Sequence, residues 1–255
     1  MKVRIADREL AYECYGNGTP LVLVHAFPLD GRMWEATAKA LDGRCRVIAP
    51  DMPGFGESTL GGRDRSIADM ADDLALLLDW LGLDRAAVGG LSMGGYVSLA
   101  FAARHPARLE RLILADTRAA ADSETVRAGR ADALALVAKG GVAALVERQL
   151  AALLSPGASE SVREQVRNLG KQTPAGVSAG LRALRDRPDR QAELANIRCP
   201  TLVVVGKEDK ISPPAEMAGI ASAISGAHLV EIAGAGHLSN LESPEAFVAA
   251  FANFL

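Results

Sequence analysis

Ser92 stands in Gly90-Leu91-Ser92-Met93-Gly94, after the apolar run Ala86 to Val88 and before a helical pattern carrying Val97, Leu99, Ala100 and Ala103. Glycines two residues to either side let a chain turn sharply from strand to helix around a strained residue, with no Cβ to clash. Such a turn would hold the Ser92 hydroxyl at the end of a sheet and aim the first amides of the next helix at any negative charge developing there. The spacing alone is permissive, since Gly176-Val177-Ser178-Ala179-Gly180 fits it too. That second copy follows Thr173-Pro174-Ala175 with no strand before it, so Ser92 is the nucleophile candidate.

A serine hydroxyl attacks poorly until a base takes its proton, and the base needs a third group to orient it. Of the four histidines, His228 opens a strand pattern and His105 ends a helix before Pro106, both surface placements, while His25 lies upstream of Ser92. His237 closes Ala233-Gly234-Ala235-Gly236-His237, a loop of small residues shortly after a strand pattern ending at Ile232, and is the base candidate. Asp209, in Gly206-Lys207-Glu208-Asp209 after the run Thr201 to Val205, is the orienting carboxylate. Glu208 beside it and Asp116 after another strand are its rivals, a turn or cap being the ordinary reading of Asp116.

The elements that must position these residues alternate. Leu21 to Val24, Val47 to Ala49, Ala86 to Val88, Leu112 to Ala115, Thr201 to Val205 and Leu229 to Ile232 are short, apolar and closed by Gly, Pro, Asp or His, as strands buried on both faces are. Between them lie helical patterns. The clearest runs through Ile67, Met70, Ala71, Leu74, Leu77, Leu78 and Leu81, with Ser66 as N-cap and Asp69 three residues on. Ser212-Pro213 and Ser243-Pro244 each read as a capping hydroxyl followed by proline at the first helical position. Strand, helix, strand, helix in this order predicts a mostly parallel sheet covered on both faces, with Arg4 to Tyr15 as an added antiparallel hairpin. Ligands on such sheets bind beyond the carboxyl ends of the strands, where the candidate residues fall. One stretch breaks the alternation: residues 117–190 carry only helical patterns, interrupted at Gly140-Gly141, Ser155-Pro156-Gly157 and Thr173-Pro174. We read 117–190 as a helical lid inserted into a core made of 1–116 and 191–255.

Composition bounds the function. With 255 residues, 49% of them hydrophobic and 23% charged, the chain can bury a large core and is not disordered. A net charge of -3 offers no polyanion-binding surface, so no nucleic-acid partner is expected. Cys14, Cys45 and Cys199 are odd in number and widely spaced, which predicts neither a disulfide scaffold nor a metal site. Charges interrupt MKVRIADREL before an apolar leader can form and no apolar run is long enough to span a membrane, so a cytoplasmic protein with no membrane partner is expected.

The order Ser92, Asp209, His237, the glycine-flanked turn, His25-Ala26-Phe27-Pro28 and the loop Asp51-Met52-Pro53-Gly54-Phe55-Gly56-Glu57-Ser58 together resemble the α/β-hydrolase family over nearly the whole chain. The nearest likeness is to small carboxylesterases, 3-oxoadipate enol-lactonase-like enzymes and perhydrolase-type hydrolases. The resemblance implies an eight-stranded, mostly parallel sheet, and backbone N–H groups of Phe27 and Met93 as the oxyanion hole. It makes the Asp51 to Ser58 loop a brace near His25. Ala26 stands where the family usually has glycine, and a left-handed backbone there would cost about 1 kcal/mol.

These residues lead us to expect a serine esterase or lactonase acting on a small-molecule acyl substrate through an acyl-enzyme, with water as second substrate and no metal or organic cofactor. A perhydrolase or a carbon–carbon bond hydrolase would share the apparatus, whereas a haloalkane dehalogenase would need Asp at position 92. A ligand receptor or signalling protein that keeps the pocket without turnover is the reading from another class. Phe27, Trp34 and Tyr96 lie close enough in sequence to line the site, with anchoring of its helix as the alternative for Trp34. Leu134, Leu136, Val137, Val142, Leu145, Val146, Leu150, Leu153 and Leu154 read as lid packing, and Arg118, Arg127, Arg130, Arg182, Arg185 and Arg187 as a solvated helix face, with recognition of a substrate carboxylate as the alternative.

Overall fold

Strands made only of small and branched apolar residues need cover on both faces, and the structure supplies it. The computed structural model describes residues 1–255. Its eight strands are β1 (Lys2–Ile5), β2 (Arg8–Tyr15), β3 (Thr19–Val24), β4 (Cys45–Pro50), β5 (Ala86–Leu91), β6 (Leu109–Ala115), β7 (Thr201–Gly206) and β8 (His228–Ile232). They form one sheet in the order β1-β2-β4-β3-β5-β6-β7-β8. The expected hairpin is β1 with β2, antiparallel, and β2 pairs antiparallel with β4; every other pair is parallel. All six residues of β5 and all six of β7 are buried, whereas β8, at the edge, buries only Ile232.

Register decides where chemistry can sit. Val24 pairs with Gly90, Leu91 with Ala115, Ala115 with Val204, and Gly206 with Ile232. The carboxyl ends of five strands therefore share one edge of the sheet. His25, Ser92 and Asp116 are each the first residue after their strand there, and the loops carrying Asp209 and His237 leave from the same edge.

The crossover helices are α1 (Glu35–Ala40), α2 (Ile67–Trp80), α3 (Met93–Arg104), α7 (Pro214–Ala223), the short α8 (Ser239–Glu242) and α9 (Pro244–Ala252), with three more helices inserted after β6. α2 starts as its sequence predicts. Ser66 Oγ accepts from Asp69 N at 3.1 Å and Asp69 Oδ2 accepts from Ser66 N at 2.9 Å, a reciprocal cap that satisfies two N–H groups at that end. Its inner face buries Ile67, Met70, Ala71, Leu74, Leu77 and Leu78, but also Asp73, ion-paired with the buried Arg8 of β2.

The two Ser-Pro starts behave differently from expectation. α7 begins at Pro214 with Pro213 as its cap residue, and the Ser212 hydroxyl caps no helix because it donates to Asp209. α9 does begin at Pro244, but Ser243 makes no capping bond.

Three helices fill the stretch between β6 and β7: α4 (Glu124–Leu153), α5 (Glu160–Leu169) and α6 (Pro174–Arg185), followed by a 3-10 turn at Gln191–Asn196. The interruptions fall where the glycines and prolines put them. Gly141 breaks α4 with φ 75°, and Thr173 Oγ1 accepts from Gly176 N at 3.1 Å to start α6. Val137, Val142, Leu145, Val146, Leu150, Leu153 and Leu154 are buried as packing, with Leu134 and Leu136 half-buried. No helix is long and apolar enough to cross a membrane.

Candidate active site

Ser92 is one of three non-glycine residues with positive φ, at φ 56° and ψ -110°. A backbone held in this region stores about 1–3 kcal/mol and persists only where its surroundings over-determine it. Here they do. A Cβ on Gly90 would lie 2.4 Å from the Gly94 carbonyl carbon, and one on Gly94 would lie 2.1 Å from the Val24 oxygen, so β3, β5 and the first turn of α3 meet backbone to backbone. Ser92 N donates to Ala115 O at 3.0 Å, and Thr117 Oγ1 donates to Ser92 O at 2.7 Å. The side chain is half-buried at the sheet edge. Ser178, in the second glycine-spaced motif, lies inside α6 with no strand before it.

His237 and Asp209 meet. Both are buried, and Nδ1 of His237 lies 2.8 Å from Asp209 Oδ2. The other carboxylate oxygen accepts from Ile211 N at 2.8 Å and Ser212 N at 3.1 Å, and Ser212 Oγ donates to Oδ2 at 2.6 Å. Burial opposes charge on Asp209, but the His237 imidazole and the Ser212 bonds outweigh it and hold the carboxyl below its usual range. The rival Glu208 points to solvent. Ser92 Oγ and His237 Nε2 are not hydrogen-bonded to each other here; such contacts commonly tighten only with substrate in place.

Asp116 is neither a turn residue on the surface nor a partner of His237. It is fully buried at φ 43°, accepting from Gly206 N at 2.8 Å and sharing a short hydrogen bond with Ser239 Oγ. It thereby ties the end of β6 to the Asp209 and His237 loops. Burial first, and then the charge of Asp209, push its pKa well above the ordinary carboxylate value.

The remaining candidates separate clearly. The Phe27 and Met93 N–H groups, at the mouths of β3 and α3, donate to no other group of the chain. Ala26 is not among the positive-φ residues, so alanine there carries no left-handed penalty. His25 is a brace: fully buried, with Nδ1 3.0 Å from Ala26 O and Nε2 accepting from Met52 N at 2.9 Å, it ties β3 to the Asp51 to Ser58 loop, and burial pushes its pKa down. His105 pairs with Asp72 at 2.8 Å and His228 is exposed.

Of its two readings, Trp34 takes that of an anchor. It is wholly buried with its ring 5.9 Å from that of Phe247, and so anchors its turn to α9. Tyr96 lies under the Arg187 guanidinium, 4.1 Å from the ring centroid. Arg187 is itself no solvated residue: its side chain is 3% exposed and ion-paired with the buried Asp122, whose other oxygen takes Arg130. Arg118, Arg182 and Arg185 pair with Glu216, Asp64 and Asp186. Sequence reasoning also missed the purpose of the second motif. Gly176 sits against Gly54 and Gly180 against the Phe27 and Phe55 rings, so these glycines let α6 dock on the loop beside the site.

A half-buried serine in a left-handed strand-to-helix turn, set on the carboxyl edge of a mostly parallel sheet that also carries a buried Asp–His pair, defines the α/β-hydrolase class. A family model described as alpha/beta hydrolase fold matches residues 19–244, and the chain belongs to that family, as a hydrolase of the esterase and lactonase type. A thermophilic esterase from Thermogutta terrifontis, solved with malate bound, is 40% identical with a TM-score of 0.95 and coverage of 99% of this chain and 97% of its own. An enol-lactonase from Burkholderia xenovorans is 30% identical with a TM-score of 0.92, covering 100% and 99%. Among curated proteins, a pimeloyl-[acyl-carrier protein] methyl ester esterase from Aeromonas hydrophila is 30% identical over 261 residues, 96% of this chain and 99% of its own.

Proposed function

We propose that the protein cleaves carboxylic esters or lactones of small acyl substrates through Ser92, His237 and Asp209. The observation that carries this reading is the buried His237–Asp209 pair at 2.8 Å on the same sheet edge as the strained Ser92. With Nδ1–H committed to Asp209, the lone pair of the imidazole is on Nε2. There it takes the Ser92 proton as Oγ attacks the acyl carbonyl. The carbonyl oxygen becomes an oxyanion held by the Phe27 and Met93 N–H groups, a contribution of about 3–4 kcal/mol per donor where such donors have been removed. The His237 imidazolium then returns the proton to the leaving alkoxide, giving the acyl-enzyme. Water, deprotonated by His237, attacks the acyl carbon and frees the acid and Ser92. For a lactone, acid and alcohol remain one molecule.

The inserted helices of residues 117–190 act in this reading as a lid over Ser92. Support comes from α6, whose Gly180 abuts the Phe27 ring. Five of the six candidate arginines, Arg118, Arg130, Arg182, Arg185 and Arg187, already hold carboxylates of the chain, and the sixth, Arg127, is exposed, which favours neutral acyl groups. The test is turnover of a short p-nitrophenyl ester and a panel of lactones. Ser92→Ala is expected to lower kcat by several orders of magnitude; turnover at wild-type rates in that variant would refute the assignment.

A further inference from the structure

We infer that Ser212 is a positioning residue that locks His237 in the tautomer able to accept a proton from Ser92. The inference rests on the reaction proposed above. Ser212 is wholly buried, three residues after Asp209, and its hydroxyl touches both members of the acid–base pair: it donates to Asp209 Oδ2 at 2.6 Å, and its oxygen lies 3.2 Å from His237 Nδ1.

A carboxylate offers about four lone-pair directions. On Asp209 the Ile211 and Ser212 amides take two at Oδ1, and the Ser212 hydroxyl and the imidazole take the two at Oδ2. The carboxylate is thereby held in one plane. Because the Ser212 proton is spent on Asp209, its oxygen can act toward His237 only as an acceptor. Nδ1 therefore faces two acceptors and no donor, and the imidazole must keep its proton there and leave Nε2 bare. Without the hydroxyl, Asp209 alone must hold both the ring angle and the tautomer, and one direction at Oδ2 goes unfilled in a dry site. The other charged groups around this corner are Asp116, across the β7 end, and Glu242, which accepts from Gly236 N at 2.8 Å beside His237. Neither contacts the imidazole.

The experiment is steady-state hydrolysis of a p-nitrophenyl ester by Ser212→Ala, Ser212→Cys and Ser212→Thr, and by Ser212→Ala combined with Asp209→Asn. The Ala and Cys variants should lose about tenfold in kcat with KM within twofold, because the hydroxyl touches the base and not the acyl group. Cys keeps the volume but donates weakly, so it carries the test should the Ala variant fail to fold. Thr, which keeps the hydroxyl, should restore kcat to within about threefold. In the Asp209→Asn background Ser212→Ala should cost less than twofold, since residues acting as one unit are not additive. Wild-type kcat in Ser212→Ala, or an equal tenfold loss in the Asp209→Asn background, overturns the inference. An inactive Ser92→Ala beside an unimpaired Ser212→Ala would remove the Ser212 assignment and leave the proposed reaction standing.

Discussion

Replacing Gly176 with alanine should destabilise the protein, although the same exchange at Gly129 should stabilise it. Both glycines lie in helices of the insertion, and helix propensity alone favours alanine by up to about 1 kcal/mol at each. Their surroundings differ. A Cβ at Gly129 meets nothing within 4 Å, whereas one at Gly176 would lie 1.8 Å from the Gly54 oxygen and 2.6 Å from its carbonyl carbon. Both obstacles are backbone, and a carbon tolerates a carbonyl oxygen no closer than about 3.3 Å. Helix α6 must then back away by about 1.5 Å. Overpacking of this kind costs about 1–3 kcal/mol. The same shift strains Gln172, just before α6, which accepts from Gly56 N at 2.8 Å and donates to Asp30 at 2.7 Å, at about 1 kcal/mol per lost bond. After the propensity gain, a net loss of about 2–4 kcal/mol remains. For a chain of this length that lowers Tm by roughly 4–16 °C, while Gly129→Ala should raise it by roughly 1–4 °C. Scanning calorimetry on the two variants and wild type reads both signs at once. A Gly176→Ala protein that melts at or above wild type would refute the reasoning, for it would mean that α6 does not dock on Gly54 in solution.

Two further outcomes follow from buried charge. Because burial and the charge of Asp209 raise the Asp116 pKa well above 3.8, the folded chain keeps a proton that the unfolded chain has released. The bound-proton difference is negative for unfolding, so this contribution is present in full below about pH 3.8. It is lost as pH rises through the folded-state value, at about 1.4 kcal/mol per pH unit within the window. Asp116→Asn is a neutral copy of the protonated acid, and urea unfolding from pH 4 to pH 8 should show its stability gaining on wild type as pH rises; a constant difference would contradict this. Arg187→Met should cost about 3 kcal/mol by stranding the buried Asp122 with only Arg130. Adding Asp122→Asn should recover much of the loss, and a double variant no better than the single one would show that Arg187 contributes packing over Tyr96 and not charge.

The parts of this structure that were legible in sequence share a property: their determinants are local. Thr201 to Val205 is apolar on both faces and so reads as a covered strand; Ser66 and Asp69 cap each other within one turn; Gly141 and Thr173 mark breaks in the insertion. Arg187 was misread because its partner is distant in sequence, and Ser212 because the carboxylate three residues before it takes its hydroxyl. Ser212 beside Pro213 looks like a cap until Asp209 and His237 compete for its hydroxyl. Arg187 looks solvated until Asp122, 65 residues away, is folded against it. The penalty expected at Ala26 was a question of one dihedral angle, which side-chain patterns do not report.

The candidate site divides along the same line. Ser92 is held by main-chain contacts, Gly90 on Gly94 and Gly94 on Val24, which admit no side chain and so leave glycines as their visible trace. His237 and Asp209 are held by side chains and loop amides, which leave only their order in the chain as a trace. The two halves should therefore fail differently. A bulky residue at Gly94 distorts the turn and displaces Ser92 and the fold together, because Val24 O lies 2.1 Å from where its Cβ would be. A change at Ser212 leaves the sheet intact and shifts only how the imidazole is presented. In the proposed reaction, changes at the Asp209–Ser212–His237 corner therefore act on the rate with the sheet preserved, whereas the Ser92 turn has no such freedom.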